Sequence, residues 1–369
     1  MHARNQSAID RRRFLQTTSV AAVGLSLAAP GIVTAKRRAA QNVIGQGDHQ
    51  FECTHGWPQL PKPYTWQTTH NVAVDGEGLL YVIHEGDVRK PGHPSIFVFD
   101  GHGKLVRAFG QQFQGGGHGI EIRTEGNEQF LYVAAYQQAK TFAKLTLTGE
   151  LVWQQYAPVQ AGVYKQDEAS NPRRRWARDA FLPTNFAFLE DGGFLLADGY
   201  GAFYIHRYDK DGNWQSCFGG PGDGKGTFNT PHGVGIDARP GREPEIVVTD
   251  RAHNTLQTFT IDGDYKETID GFGLPANVET HQGLMVVPEL VARVSLLDEK
   301  NEVVATLGSD IDRILADKDK NKGFVIRTRE DQWQQGKFVH PHDACFDADG
   351  NIFVAEWVST GRITRLKRV

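Results

Sequence analysis

Cysteine is scarce in this 369-residue chain: only Cys53, Cys217 and Cys345, with no Cys-x-x-Cys pair. That excludes a disulfide framework and a thiolate zinc module, and an odd count leaves at least one thiol unpaired. All three read as small buried hydrophobes. A surplus of positive charge is missing as well. Formal net charge is −4, and because residues 1–35 carry +3 the remainder stands at −7. Such a chain has no electrostatic footprint for nucleic acid. Long apolar runs are lacking too: Thr17 to Val33 is weakly apolar and broken by glycines, serines and Pro30, a poor permanent membrane span.

What is present favours strands. With 41 glycines, 16 prolines and 21 phenylalanines, the chain suits many short strands joined by turns better than helices. Its N-terminus stands apart. Asp10-Arg11-Arg12-Arg13-Phe14-Leu15-Gln16 has the twin-arginine pattern, and Val33-Thr34-Ala35 is a small-residue exit. The expected organisation is a signal peptide over 1–35, a linker over 36–49 and a folded domain over 50–369. That places the mature protein in a periplasm or outside the cell, with no stable membrane span after cleavage. Twin-arginine export carries folded proteins, so a site can be filled before crossing.

Six segments share one opening: His70-Asn71-Val72, His118-Gly119-Ile120, Thr184-Asn185-Phe186, His232-Gly233-Val234, Ala276-Asn277-Val278 and His342-Asp343-Ala344. The full unit is visible over 184–219, where Asp-Gly and Gly-Asn turns separate alternating strands, as hairpins require. Four antiparallel strands at a period of about 45 residues mark a propeller blade. The fold class is therefore all-β, a six-bladed β-propeller of four-stranded antiparallel blades. Steps between segment starts are 48, 66, 48, 44 and 66 residues. The two long steps hold charged insertions, roughly 157–183 and 309–339, expected as loops or short helices on one face. The last unit lacks its fourth strand, and Gln50-Phe51-Glu52-Cys53 is the candidate to supply it, which closes the ring and removes two open edges.

The innermost strand of each blade lines the central channel, so equivalent residues of units two, four and six stand about 120° apart in a six-bladed ring. His118, His232 and His342 hold such positions. Neutral imidazole is a good ligand for zinc and similar metals, and three ligands leave a position for water or substrate. His70 is equivalent in unit one but breaks the threefold pattern, so it is left outside the ligand set; His340 is read as neighbouring wall. Asp343 follows a ligand histidine with its carboxylate turned along the channel. With the carbonyls of Val72 and Ile120 it can hold a hard cation such as calcium, or else bond local amides as a turn aspartate.

These residues are similar to those of the NHL-repeat propellers, in particular the peptidyl-α-hydroxyglycine α-amidating lyase family, over most of residues 65–369. Gly226-Thr227-Phe228-Asn229-Thr230-Pro231-His232 with Val248-Thr249-Asp250-Arg251 resembles the family's segment bearing the second zinc histidine. Pro341-His342-Asp343 resembles the third, and His118-Gly119-Ile120 the first. The resemblance implies zinc on these three histidines, and calcium on Asp343 with the Val72 and Ile120 carbonyls. It implies a catalytic base at Tyr200 in Ala197-Asp198-Gly199-Tyr200, its pKa lowered by a metal. Arg251 would bind a substrate carboxylate or stabilise charge on oxygen. The reaction implied is cleavage of a carboxy-terminal α-hydroxyglycine to a peptide amide and glyoxylate.

One departure matters. Where the family has His-Arg-Gly-Asp, this chain has His84-Glu85-Gly86-Asp87, so a carboxylate stands in a cation's place. Glu85 would repel a glyoxylate-like group and is itself a candidate base; Arg89 and Lys90 are the nearest cations in sequence. Asn171-Pro172-Arg173-Arg174-Arg175-Trp176, in the first insertion, is either an anion-binding lid or a solvated loop. Two functions are carried forward. One is an exported, monomeric, zinc-dependent lyase-like enzyme acting on a small molecule or peptide. The other is a non-enzymatic propeller that binds a peptide, glycan or protein on one face.

Overall fold

The computed structural model describes residues 42–171 and 175–369. The signal-peptide reading over 1–35 and Pro172-Arg173-Arg174 of the basic stretch lie outside these residues. Six antiparallel sheets form the six blades of a propeller. The last blade begins with β1 (Val43–Gln46) and β2 (His49–His55). Blade one is β3 (Thr69–Val74), β4 (Leu80–His84), β5 (Ile96–Phe99) and β6 (Leu105–Phe109). Blade two is β7 (Gly117–Glu125), β8 (Glu128–Ala135), β9 (Thr141–Thr146) and β10 (Leu151–Gln155). Blade three is β11 (Phe186–Phe188), β12 (Phe194–Ala197), β13 (Tyr204–Tyr208) and β14 (Trp214–Gly219). Blade four is β15 (Pro231–Asp237), β16 (Glu245–Asp250), β17 (Thr255–Phe259) and β18 (Tyr265–Ile269). Blade five is β19 (Glu279–His281), β20 (Leu284–Glu289), β21 (Arg293–Leu297) and β22 (Val303–Leu307). Blade six is completed by β23 (Pro341–Phe346), β24 (Ile352–Glu356) and β25 (Arg362–Arg368).

Burial falls from the second and third strands to the fourth. β4, β5, β16 and β24 are buried throughout, whereas β6, β10 and β18 are half exposed. The apolar core lies between neighbouring blades: Phe142, Phe181, Phe186, Phe194 and Tyr208 form one such seam, Val72, Val82, Phe97, Phe353 and Ile363 another. Hairpin turns follow the chemistry expected of them. Asp209 Oδ1 accepts the amides of Asp211 and Asn213 at 2.9 and 2.8 Å, and Gly212 takes φ +81°, where a side chain would be strained.

Ring closure uses the expected segment. β2 pairs with β25, placing Phe51 opposite Arg368 and Cys53 opposite Leu366. β1 then adds a fifth strand, Val43 opposite Glu52. It falls inside the stretch 36–49 expected as linker, which corrects that boundary: the sheet begins at Val43. All three cysteines are free thiols, with Cys53 and Cys345 buried.

The described residues of both insertions are structured. The second carries α1 (Ile311–Asn321) and two short 3-10 turns, and it packs Ile314 and Ile326 against Ala292, Val339 and Val358. The first is tied down by the buried Lys140–Glu168 ion pair, by Glu168 Oε1 accepting the Phe181 amide at 2.9 Å, and by Tyr164 donating to Asp198 at 2.9 Å.

Candidate metal centre

Histidine enters the channel at a β-bulge. Pairing between first and second strands shifts at Thr69/Asn71, Gly117/Gly119, Pro231/Val234 and Pro341/Asp343. The unpaired residues there include His70, His118, His232 and His342. A bulge re-aims one side chain without ending the ladder, and here it turns each imidazole toward the axis. Ring centroids are 4.8 Å apart for His118–His232, 4.6 Å for His232–His342 and 5.0 Å for His118–His342.

Three of the four are oriented alike. His118 Nδ1 lies 2.9 Å from the Thr184 carbonyl, His232 Nδ1 2.6 Å from that of Ala276, and His342 Nδ1 2.8 Å from that of His70. Each acceptor opens the next blade, so the pattern repeats with threefold order. A carbonyl can only accept, so Nδ1 carries the hydrogen and Nε2 of each neutral ring is a lone pair. Burial holds all three pKa values well below the usual histidine range, reinforced by neighbouring histidines and Arg251. Neutral imidazole with its remote nitrogen fixed by a carbonyl is the form that binds metal.

The nitrogens facing the axis are short of partners. His118 Nε2 and His232 Nε2 stand 3.1 Å apart, lone pair to lone pair, and His342 Nε2 has no partner. Two nitrogens on one tetrahedral zinc, each about 2.1 Å from it, are about 3.4 Å apart, so the spacing suits a shared divalent ion. The His118–His232 pair therefore fits a shared ion, and His342 offers a third free imidazole nitrogen nearby. Glycine makes the carbonyl contact possible: a Cβ at Gly119 would meet Thr184 O at 2.2 Å. Gly119→Ala is expected to push that carbonyl away from His118 and weaken metal binding by roughly tenfold or more, read by competition with a chromophoric chelator.

His70 corrects the sequence reading. Left aside on symmetry, it stands in the cluster, its ring 4.7 Å from those of His118 and His342. The ligand nitrogens of His70, His118 and His342 all lie within 4.8 Å of one another, the one such group of His, Cys, Asp or Glu among the described residues; His232 is not part of it, though its Nε2 is 3.1 Å from that of His118. It is held differently from the other three. Neither of its ring nitrogens has a hydrogen-bond partner, and Nε2 is 3.9 Å from Glu85 Oε2. His340 is buried outside the ring, donating to the Leu290 carbonyl.

Asp343 does bond amides. Its oxygens accept from Val72 N at 2.8 Å and Asn277 Nδ2 at 2.6 Å, joining blade six to blades one and five. Glu121 accepts from Asn185 Nδ2 at 3.1 Å, and Glu279 from Phe346 N at 2.9 Å. Burial raises the pKa of all three, Asp343 to about 7 and Glu279 to about 8. Sequence reading passed over Glu121 and Glu279. Glu121 sits at the polar position of the Ile120-Glu121-Ile122 alternation, which gives no sign in the sequence of its burial in the channel.

Above the histidines, one residue per blade lines a cavity of about 430 Å³. Glu85, Tyr136, Arg251, Leu290 and Trp357 directly follow the end of a second strand, and Tyr200 comes three residues after one. In five blades the side chain just before this wall, or at its turn, accepts a backbone amide leading into the channel strand. The pairs are His84 with Gln67 N, Asp198 with Leu182 N, Asp250 with Asn229 N, Glu289 with Gly273 N and Glu356 with Val339 N. Wall and histidine segment are thus held by the same bonds. Trp176 from the first insertion, and Phe324 and Arg327 from the second, complete the lining with Gln137 and His342.

The three expected catalytic residues meet in this cavity. Arg251 Nη1 donates to the Tyr200 hydroxyl at 2.9 Å; Arg251 Nε and Nη2 are buried without partners. Asp250 pairs with His253 at 2.6 Å, leaving Arg251 free of it. Tyr200 packs edge-on against His118 and His232. Burial raises its pKa, with Arg251 pulling the other way, so the expectation of a lowered phenol is not met by the protein's own groups. Glu85 accepts from Gln137 Nε2 at 2.8 Å and faces His70. Arg89 is exposed and paired with Asp87, so it does not reach the cavity. Arg175 is engaged by Glu168 and Asp179.

Fold and site define a class: a six-bladed propeller with a ring of histidines across its channel. No family model matches the chain, and no curated protein sequence does. In three dimensions it is similar to virginiamycin B lyase from Staphylococcus aureus, at 12% identity over 86% of this chain and 100% of that one, TM-score 0.52. It is also similar to a gluconolactonase from Xanthomonas campestris, at 11% identity over 86% and 89%, TM-score 0.51. A Bacteroides thetaiotaomicron protein of unknown function matches at 11% identity over 87% and 78%, TM-score 0.56. These likenesses show the propeller fold and do not single out the α-amidating family.

Proposed function

We propose that this chain is an exported, metal-dependent propeller enzyme with lyase-type chemistry on a small molecule. The observation that carries the reading is the set of three histidines, from alternate blades, each with Nδ1 held by a carbonyl and Nε2 turned to the axis. Solved propellers of this fold bear the names lyase and gluconolactonase, so a ring of this kind hosts enzymes. Zinc is the proposed ion, from the all-imidazole donor set. When bound it would act as a Lewis acid on a substrate oxygen. Calcium beside Asp343, with the Val72 and Ile120 carbonyls, stays a subsidiary proposal. Export rests on Asp10-Arg11-Arg12-Arg13-Phe14-Leu15. Among the described residues no helix is long and apolar enough to cross a membrane.

The chain's own groups divide the proton work. Arg251 donates to the Tyr200 oxygen, which leaves the phenol hydrogen to be given to a leaving group. Glu85, accepting from Gln137 and beside His70, is the acceptor on the other side of the cavity. Tyr200 is therefore proposed as the acid and Glu85 as the base, the reverse of the role expected for Tyr200. Elemental analysis of the purified protein is expected to find one transition-metal ion per chain, removed by a chelator. A chain that neither holds nor takes up zinc would leave only the non-enzymatic binding propeller.

A further inference from the structure

Two cationic side chains face the cavity with no carboxylate partner. Arg251 is buried and spends one nitrogen on Tyr200, leaving Nε and Nη2 unpartnered. Arg327 arrives from the second insertion. Its guanidinium lies 3.5 Å over the Trp357 ring, Nε donates to the Trp357 carbonyl at 3.3 Å, and Nη2 donates to Thr68 Oγ1 at 3.1 Å. Among the described residues neither arginine forms an ion pair within 4.0 Å. Among the described residues Glu85 is the only acid lining the cavity, and it is engaged by Gln137.

The segment bearing Arg327 is built to hold it. Its backbone carbonyl accepts from Ser359 N at 3.1 Å and Ser359 Oγ at 2.9 Å. Asp317 of α1 accepts the Ile326 amide at 2.9 Å, and Trp333 Nε1 donates to the Ile326 carbonyl at 2.9 Å. Ile326 itself is in the apolar cluster beneath α1. A stacked, doubly anchored guanidinium loses little freedom on meeting a planar anion, and a buried arginine without a counter-ion favours one strongly.

We propose that Arg327 and Arg251 form a clamp for a carboxylate, and that the substrate is a small carboxylate with a flat apolar body. The two guanidinia outnumber the one carboxylate of Glu85, which leaves room for one negative charge. Tyr136, Trp176, Tyr200, Phe324 and Trp357 supply the aromatic walls for the body. This rests on the proposed site only in sharing its cavity, since the clamp needs no metal.

Trp176 and Trp357 make the test optical. Phenylacetate and its neutral amide, phenylacetamide, are titrated against tryptophan fluorescence in zinc-loaded and chelator-treated protein. The acid is expected to bind more tightly than the amide by roughly ten- to a hundredfold, in both forms. Arg327→Met should abolish most of that preference by weakening the acid far more than the amide, and Arg327→Lys should restore part of it. Equal binding of acid and amide, no binding of the acid, or an unchanged preference in Arg327→Met overturns the clamp. Loss of zinc uptake with the acid preference intact would sink the metal reading and leave the clamp standing.

Discussion

Replacing His118 by alanine is expected to abolish tight metal binding while leaving the metal-free protein close to its original stability. A four-ligand structural zinc is worth roughly 10–16 kcal/mol, so one imidazole of three or four accounts for about 3 kcal/mol, about a hundredfold in affinity. The second half of the expectation comes from the contact at the axis. Without an ion, His118 Nε2 and His232 Nε2 face each other at 3.1 Å as two acceptors in a buried channel. Deleting one removes that repulsion, and this offsets the packing lost with the ring. Wild-type melting temperature should rise with added zinc, as any ligand of the native state raises it. In His118→Ala that rise should nearly vanish while the metal-free value moves little. A variant that melts far lower without metal and keeps the full zinc-dependent rise would mark His118 as a packing residue.

The parts legible in the sequence were those that the repeat dictates. Blade register follows from Asp-Gly turns and alternating strands, so the six openings from His70 to His342 fall on the six channel positions. The missing strand of the last unit pointed to Phe51 and Cys53 because an open edge must be paired. β1 was not legible, since it joins the outside of an already closed sheet and no rule of closure requires it. Threefold order alone leaves His70 out of the ligand set. The channel is narrow enough that a bulged histidine from any blade reaches the axis, and symmetry shows itself in the Nδ1 partners instead. Arg327, Phe324 and Trp176 come from insertions with no period, so only the folded chain places them over the cavity. Tyr200 and Arg251 were found by resemblance; for Arg251 a rule within the sequence also works, since the residue directly after its second strand faces the site, whereas Tyr200 lies at the turn beyond Ala197.

Glu356→Gln is expected to destabilise the protein by about 3 kcal/mol at neutral pH, since it leaves Arg362 charged and buried without its counter-ion. Glu356 is fully buried, and its carboxylate accepts from Arg362 Nη2 at 2.7 Å and from Val339 N at 2.8 Å. Its backbone carbonyl accepts from Thr69 Oγ1 at 2.7 Å, so blade six, the His342 segment and the strand bearing His70 meet at this residue. Burial alone would raise its pKa; the Arg362 charge and these hydrogen bonds outweigh that and hold it below the usual glutamate range. A carboxylate depressed in the folded state stabilises fully above its unfolded pKa, about 4.3, and loses that contribution as pH falls toward the lower folded value. Urea denaturation should therefore show the gap between wild type and Glu356→Gln at its full size at pH 7 and narrowing below about pH 4. Zinc affinity should fall with it, because Val339 leads directly into His342. A gap of equal size at both pH values would mean that glutamine fails for its shape alone. The closing joint of the ring would then be held by packing, and ionisation of Glu356 would have no part in setting the metal ligands.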